Sequence, residues 1–582
     1  MMNKKLKTLA LLGMTAILPA SIMWAEETRQ YTFEVEPPAV TNGLAPIQGN
    51  FSVKNSTKGA RNIKWRAIAS ADGGATWTSN VTEVFKSFSA TSNTGSKTIN
   101  YELHPQPYYF ETELTDRHRR KLRKTASMSN IDLSSRDPET GMKGKPRSTA
   151  NCYVVHAAGT NYSFPCIYGN GIKNGVTNSV AYKTQGSLNV FQDYKGNGIT
   201  NPWIPNIGTN HTAILLWQDV QGLITNVRLG KDKYGYNCIY FDTMDKTVIQ
   251  PGNAVIALRD ADNKIVWSWH IWVTDEDLSA FTVTKKTGKN ESYMPVNLGW
   301  VSTGDLIFPK QEIKVRFIQD ESGLIREFTF NRPEFVVPQG TNPYYQWGRK
   351  DLMPSRVNNG TGFTEERTYY IANGYAFNTA NGRADLKTSI QNPMTGYYQY
   401  TNWTDPTTYY NLWSANDTAS DVQSVAAVNE TEVIKTIYDP SPAGFSAPIA
   451  NIYSGFTSEI NGDNAYIYIL QGYGKAAFTN LVNGYFFYGK DAAGHYGSLS
   501  FFPTLSYRSK TLYPGQIGAY WTARPASGRE SHHPNDNNMN FAFSFTFDGR
   551  PSDSGYVSTF FRTMNTAMSR SYALSMRPMK EQ

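Results

Sequence analysis

Trp267, Trp269, His270 and Trp272 crowd one short run, IVWSWHIWVTDED at 265–277, which ends in Asp275, Glu276 and Asp277. Indole rings beside an imidazole and carboxylates could line a sugar cleft, the rings stacking on a pyranose and the carboxylates moving protons. The period of the run argues otherwise. Ile265, Trp267, Trp269, Ile271 and Val273 alternate with Val266, Ser268, His270, Trp272 and Thr274, so one face is wholly apolar and the other mixed, as in a half-buried strand. NAVIALRD upstream supplies a partner strand and DADNK the turn between them, so the two runs form a hairpin. On this reading the tryptophans build a hydrophobic layer, His270 is a partly exposed strand residue, and the three acids are solvated strand-end charges.

Elsewhere the sequence holds no HExxH, CxxC, GxSxG or Walker loop, and GYGKAA lacks both the spacing and the Ser/Thr of a phosphate loop. DADNK lacks the Gly and closing Glu of a calcium loop. No catalytic residue, metal ligand or cofactor is therefore expected. The best candidate for ligand contact is Tyr520, Trp521 and Arg524 in GAYWTARPASGRE, leading into the polar loop that carries His532 and His533. Such a group can stack on a sugar face or anchor a partner protein, whereas the same GAYW run also reads as a buried strand whose Trp521 fills the core.

The elements that must position these residues are short strands. The chain has 582 residues, among them 36 Tyr, 29 Phe, 13 Trp and 46 Gly, and few Leu- or Ala-rich amphipathic runs. Lys4, Lys5 and Lys7, the apolar run that follows and a cut near Ala25 have the layout of a secretory signal peptide, residues 1–25. No later run is apolar enough to span a membrane, so none is expected in the mature chain. The formal net charge is +8; the leader's three lysines and the six Lys/Arg of RHRRKLRK exceed it, leaving the rest about neutral. A basic face for nucleic acid is not expected. Cys152, Cys166 and Cys238 allow at most one bridge, and three buried thiols are an equal alternative.

Residues 26–112 alternate in short runs and suggest a small β-sandwich module of the immunoglobulin-like kind. Residues 113–147 read as a basic linker in which Arg117, Arg119, Arg120, Lys121, Arg123 and Lys124 offer a processing site to an Arg- or Lys-directed protease; the alternative is a solvated, briefly helical linker. Residues 148–338 read as a β-sandwich region. Residues 339–582 read as an α+β domain with much loop, a helix around SDVQSVAAVNETEVIKTIY and a strand in which Phe541, Phe543, Phe545 and Phe547 alternate.

ANCYVV, LWQDVQGLITNVRL, VIALRDADNKIVWSWHIWVTD, YYQWGRKD, YDPSPAGF and SRSYALSMRP, in that order, resemble exported surface proteins of Bacteroidales bacteria. These combine immunoglobulin-like modules of the BACON or fimbrillin type with a C-terminal major paralogous (FISUMP) domain. The resemblance implies a mainly β chain whose C-terminal part is C-type-lectin-like, and implies no characterised activity. The lipobox cysteine usual in fimbrillin-type proteins is absent, and Ser441 stands where many relatives look to have cysteine. Asp242-Thr243-Met244 and Asp417-Thr418-Ala419 resemble the acceptor pattern for O-glycosylation in that group, which makes Thr243 and Thr418 candidate modification sites.

The expected function is non-enzymatic: a secreted or cell-surface binding protein acting in adhesion, fimbria-like assembly or glycan attachment, with a surface glycan or another surface protein as partner. The alternative is a secreted glycan-active hydrolase whose carboxylate pair is assembled from separate strands.

Overall fold

The computed structural model describes residues 31–38, 48–57, 63–103, 113–182, 191–284, 290–308, 310–358, 363–365, 368–398, 403–404, 409–417, 423–424, 432–450, 452–453, 466–468, 484–490, 496–505, 507–508, 517–527, 541–548 and 561–581. They are mainly β, in many antiparallel sheets. Among them no helix is long and apolar enough to cross a membrane. The chain divides into two compact units.

The first unit holds two four-stranded sheets. One contains the strands Tyr31–Glu36, Gln48–Thr57, Phe85–Phe88 and Lys97–Leu103; the other contains Lys64–Ser70, Ser92–Thr94, Gln311–Gln319 and Ile325–Arg332. Alternation puts Phe51 opposite Ile99 in the first sheet and Phe317 opposite Ala67 in the second. The two inner faces meet where the Phe51 ring lies 5.0 Å from that of Phe317. The sequence boundaries placed the last two strands in the middle region. In the structure their hairpin completes the sandwich of the first unit instead, because Lys64–Ser70 gives it a strand to pair with, and Phe51 of the facing sheet gives Phe317 an apolar face to pack on.

The second unit spans residues 105–310 and 333–582. One hydrophobic cluster runs through it from Leu122 to Met579, so the expected middle and C-terminal regions share a core. The opening hairpin is present: Gly252–Arg259 pairs antiparallel with Ile265–Val273. Its turn closes through Asp260, whose carboxylate accepts the N–H of Asp262 at 3.0 Å and of Lys264 at 2.9 Å, with Asn263 at φ +61. The strand 265–273 lies inside a five-stranded sheet beside Cys152–Val155, and both of its faces are buried. The Trp269 ring sits 5.2 Å from Phe164 on one side, while Trp272 Nε1 donates to the Trp300 carbonyl at 2.9 Å and Ser268 Oγ to Asp351 at 2.6 Å. His270, expected to be partly exposed, is 2% exposed, because these distant segments cover the mixed face.

The basic run is a helix, Arg117–Lys124. Arg, Lys and Leu are good helix formers, and His118 and Leu122, four apart, bury one side together. Arg120 pairs with Asp116 at 2.7 Å and Arg123 Nε donates to the Ile249 carbonyl at 3.2 Å. The flexible linker expected at 117–124 is thus docked structure, and the protease-site expectation loses its premise. Brief trypsin treatment should leave the 117–124 peptide bonds intact, and an early cut mapped there by mass spectrometry would mean that the helix undocks. Of the helix expected around 420–438, the described residues are a two-residue strand, Gln423–Ser424, and irregular chain from 432; 425–431 lie outside the described residues. There Lys435 turns inward, donating to the Ser441 and Pro442 carbonyls at 3.0 and 2.7 Å. Phe541–Asp548 is a strand as expected, with Phe541, Phe543, Phe545 and Phe547 all buried.

Candidate binding surface

The strands Ile224–Lys231 and Asn237–Thr243 are joined by a short turn, DKYGY, at 232–236. Its geometry follows from two residues. The Asp232 carboxylate accepts the backbone N–H groups of Tyr234 and Tyr236, each at 2.9 Å, and Gly235 takes φ +83, a conformation a side chain would strain. Arg147 holds the same carboxylate at 3.3 Å and bridges it to Asp132 at 3.0 Å. The result is a fixed turn that turns its tyrosines outward: Tyr234 is 69% exposed and Tyr236 46%.

A second loop brings an indole to this turn. Trp203 is anchored by a bridge to Ile167, by its N–H donating to Asn201 Oδ1 at 2.9 Å, and by the neighbouring bonds of Tyr168 N–H to the Pro202 carbonyl and Ile204 N–H to the Cys166 carbonyl. Its ring stacks on Tyr236 with centroids 4.4 Å apart and planes 18° from parallel. Exposed aromatic rings held on a turn fixed by backbone bonds lose little entropy when they bind. This surface was not found from the sequence. The available signal was an Asp three residues before a Gly, with a Tyr on each side of that Gly, between two alternating runs.

The expected ligand residues lie elsewhere. Tyr520, Trp521 and Arg524 are fully buried. Tyr520 Oη donates to the Pro503 carbonyl at 2.6 Å and Trp521 Nε1 to the Tyr345 carbonyl at 2.7 Å, while Arg524 pairs with buried Asp417. They fill the core, as the buried-strand reading of GAYW has it for Trp521, and offer a ligand no face. His532, His533 and Thr418 lie outside the described residues. Thr243 is buried, its hydroxyl accepting the Gly159 N–H at 2.7 Å, so the candidate modification site on this chain's strand is closed to an enzyme. Cys152, Cys166 and Cys238 are free, buried thiols, and burial pushes each of them up from the usual range.

Two buried polar clusters remain. His118 lies between carboxylates: Nδ1 is 2.9 Å from Asp275 Oδ1, Nε2 is 3.1 Å from Asp305 Oδ2, and Glu276 is 3.6 Å away. Arg117 also pairs with Asp305, and Lys121 donates to the Asp275 carbonyl at 2.5 Å. Burial alone would lower the imidazole's pKa, but the bonds to Asp275 and Asp305 and the nearby charges push it up to about 10. Burial raises the Glu276 carboxyl to about 7, opposed by His118 and reinforced by the charges of Asp275 and Asp305. The expectation of solvated acids fails for Asp275 and Glu276 for this reason, an imidazolium from another element drawing them in, and holds for Asp277, which is exposed. In the second cluster Lys350 donates to Ser268 Oγ and to Asp351 Oδ1, and its ammonium lies 4.7 Å from the Trp267 ring centroid. Ser268, Lys350 and Asp351 are all buried, so this trio ties two segments together. No group of three or more His, Cys, Asp or Glu side chains among the described residues is arranged to hold a metal ion.

No family model matches the chain, and no curated protein matches it.

Proposed function

We propose that this chain is a non-enzymatic, exported binding protein that attaches to surface glycan through the aromatic surface formed by Trp203, Tyr234 and Tyr236. The observation that carries the reading is the exposure of Tyr234 beside the stacked Trp203–Tyr236 pair on a turn fixed by Asp232. A flat aromatic ring presents an apolar face to the C–H face of a pyranose, and Tyr and Trp are the residues that most often anchor binding. The signal-peptide layout of residues 1–25 supports export to the cell surface, the space outside the cell or the periplasm. The two facing sheets of the first unit support its reading as an immunoglobulin-like module, and the resemblance carried by YYQWGRKD, YDPSPAGF and SRSYALSMRP supports a C-type-lectin-like fold for residues 339–582. Adhesion and fimbria-like assembly are the cellular roles that fit such a chain.

Glycan-array binding tests the reading. Tyr234→Ala and Tyr236→Ala should each weaken binding about tenfold or more, the loss of roughly 1.4 kcal/mol or above expected of an aromatic anchor. The melting temperature of Tyr234→Ala should stay within about 1–2 °C of the parent, as for an exposed position with little to unpack, while Tyr236→Ala also gives up its stack on Trp203, about 0.5–1.5 kcal/mol. Unchanged binding in both variants would sink it.

A second reading, a secreted glycan-active hydrolase, draws on Glu276. A carboxyl protonated near neutrality beside the carboxylates of Asp275 and Asp305 has the form of an acid and its partner. Against it, His118 already occupies both Asp275 and Asp305. Product analysis of any glycan bound separates the two, since turnover lost in Glu276→Gln belongs only to the hydrolase.

A further inference from the structure

We propose that the aromatic surface selects anionic glycans, those bearing carboxylate or sulfate groups, through Lys231 and Lys233. This rests on the reading of Trp203, Tyr234 and Tyr236 as a glycan-binding surface. The argument is one of charge at the turn. Lys231 ends one strand and Lys233 follows Asp232, so the two cations flank the carboxylate that organises the turn. Both side chains are exposed, and neither forms an ion pair among the described residues. The two carboxylates that hold the turn share one cation: Arg147 pairs with both Asp232 and Asp132, and Asp232 also accepts two backbone N–H groups.

Lys231, Lys233 and Arg147 against Asp232 and Asp132 leave one net positive charge at the turn. The Lys233 ammonium lies over the Tyr234 ring, 4.9 Å from its centroid, so one cation sits on one face of the most exposed ring of the surface. A pyranose stacked on the tyrosines would carry its acidic substituents within reach of these cations, which gives the sugar's charge a partner that water would otherwise supply. A neutral sugar gains only the stacking. On an exposed surface the charge contribution is modest and screened by salt, so it sets preference while the rings set affinity.

The test measures binding of the purified full chain to three probes: an oligogalacturonate, a neutral gluco-oligosaccharide of the same length, and a polyglutamate peptide. The expected result is that the oligogalacturonate binds about fivefold to tenfold more tightly than the neutral sugar at low salt, the gap closing as salt is raised toward 1 M. Lys231→Gln with Lys233→Gln should abolish that gap, leave the weaker neutral binding in place and leave the melting temperature unchanged. Equal binding of the two sugars, or a gap that survives the double substitution, overturns the charge preference while leaving the aromatic surface standing. Polyglutamate binding as tightly as the oligogalacturonate also overturns it, because charge alone then accounts for the attraction. Sugar binding that is indifferent to Tyr234→Ala and Tyr236→Ala instead removes the surface itself, and with it the preference.

Discussion

His118→Ala is expected to cost the second unit about 3–5 kcal/mol, the usual penalty for stripping one partner from a buried charged cluster. Asp305 is fully buried and Asp275 nearly so, and both face the imidazole. Without it they and Glu276 face one another across a site that water reaches poorly, with Arg117 and Lys121 left as the only cations paired with them among the described residues. Urea unfolding at pH 7 measures the loss; a change below about 1 kcal/mol would show that Arg117 and Lys121 neutralise the cluster unaided. The same cluster sets a pH dependence. The imidazole's pKa is raised from 6.5 to about 10, so its contribution is complete below pH 6.5 and is lost as pH rises through 10. Glu276 is also raised, from 4.5 to about 7, so the folded state is favoured by its proton below pH 4.5 and loses that advantage as pH rises through 7. Both effects run the same way. Stability should fall from pH 5 to pH 8, and Glu276→Gln should flatten the part of that fall between pH 4.5 and 7.

Trp267→Ala is expected to cost a similar amount, about 3–5 kcal/mol, through the cavity left by a buried indole. The ring stacks near Tyr438 with centroids 5.9 Å apart, meets Tyr168 edge-on at 5.0 Å, and lies under the Lys350 ammonium. Its Nε1 donates to Asn151 Oδ1 at 3.0 Å, and Asn151 Nδ2 in turn donates to the carbonyls of Ile437 and Asp439 at 2.7 and 2.8 Å. Removal therefore empties a space and also frees the side chain that ties residue 151 to residues 437–439. Thermal melting should show the loss as an early transition, while Tyr234→Ala melts with the parent. A Trp267→Ala protein that keeps its melting temperature but stops binding glycan would move the ligand site from the turn at 232–236 to the 265–273 strand.

Much of the β architecture was legible because it is local. Alternation in NAVIALRD and IVWSWHIWV located two strands, DADNK located the turn between them, and FAFSFTFDG located a late strand. The same reasoning went wrong where a residue's fate depends on something far along the chain. Period 2 states that a strand has two faces and that one is apolar; it does not state what covers the other. His270 was judged exposed from its own neighbours, whereas the neighbours of Trp521 left ligand contact and core both open. The first is buried under segments near 253, 300 and 351, and the second hydrogen-bonds to the carbonyl of residue 345.

The aromatic surface of Trp203, Tyr234 and Tyr236 was missed for the complementary reason. Turn chemistry in DKYGY is written in the sequence through Asp232 and Gly235, and so is the outward direction of Tyr234 and Tyr236. That Trp203 arrives to stack on Tyr236 depends on a loop some thirty residues earlier being fastened to Ile167.

By itself, then, the sequence determined the strand-rich class, the positions of individual strands and hairpin turns, and the absence of familiar catalytic and metal motifs, since each of these depends on residues within a few places of one another. Tertiary structure decided which strands share a sheet, as when 311–332 joins 64–70, and which charges are buried, as when His118 meets Asp275 and Asp305. The physical reason is the same in both cases. Burial and pairing are settled by the surfaces that meet after long loops close, and a local pattern describes only one of the two surfaces.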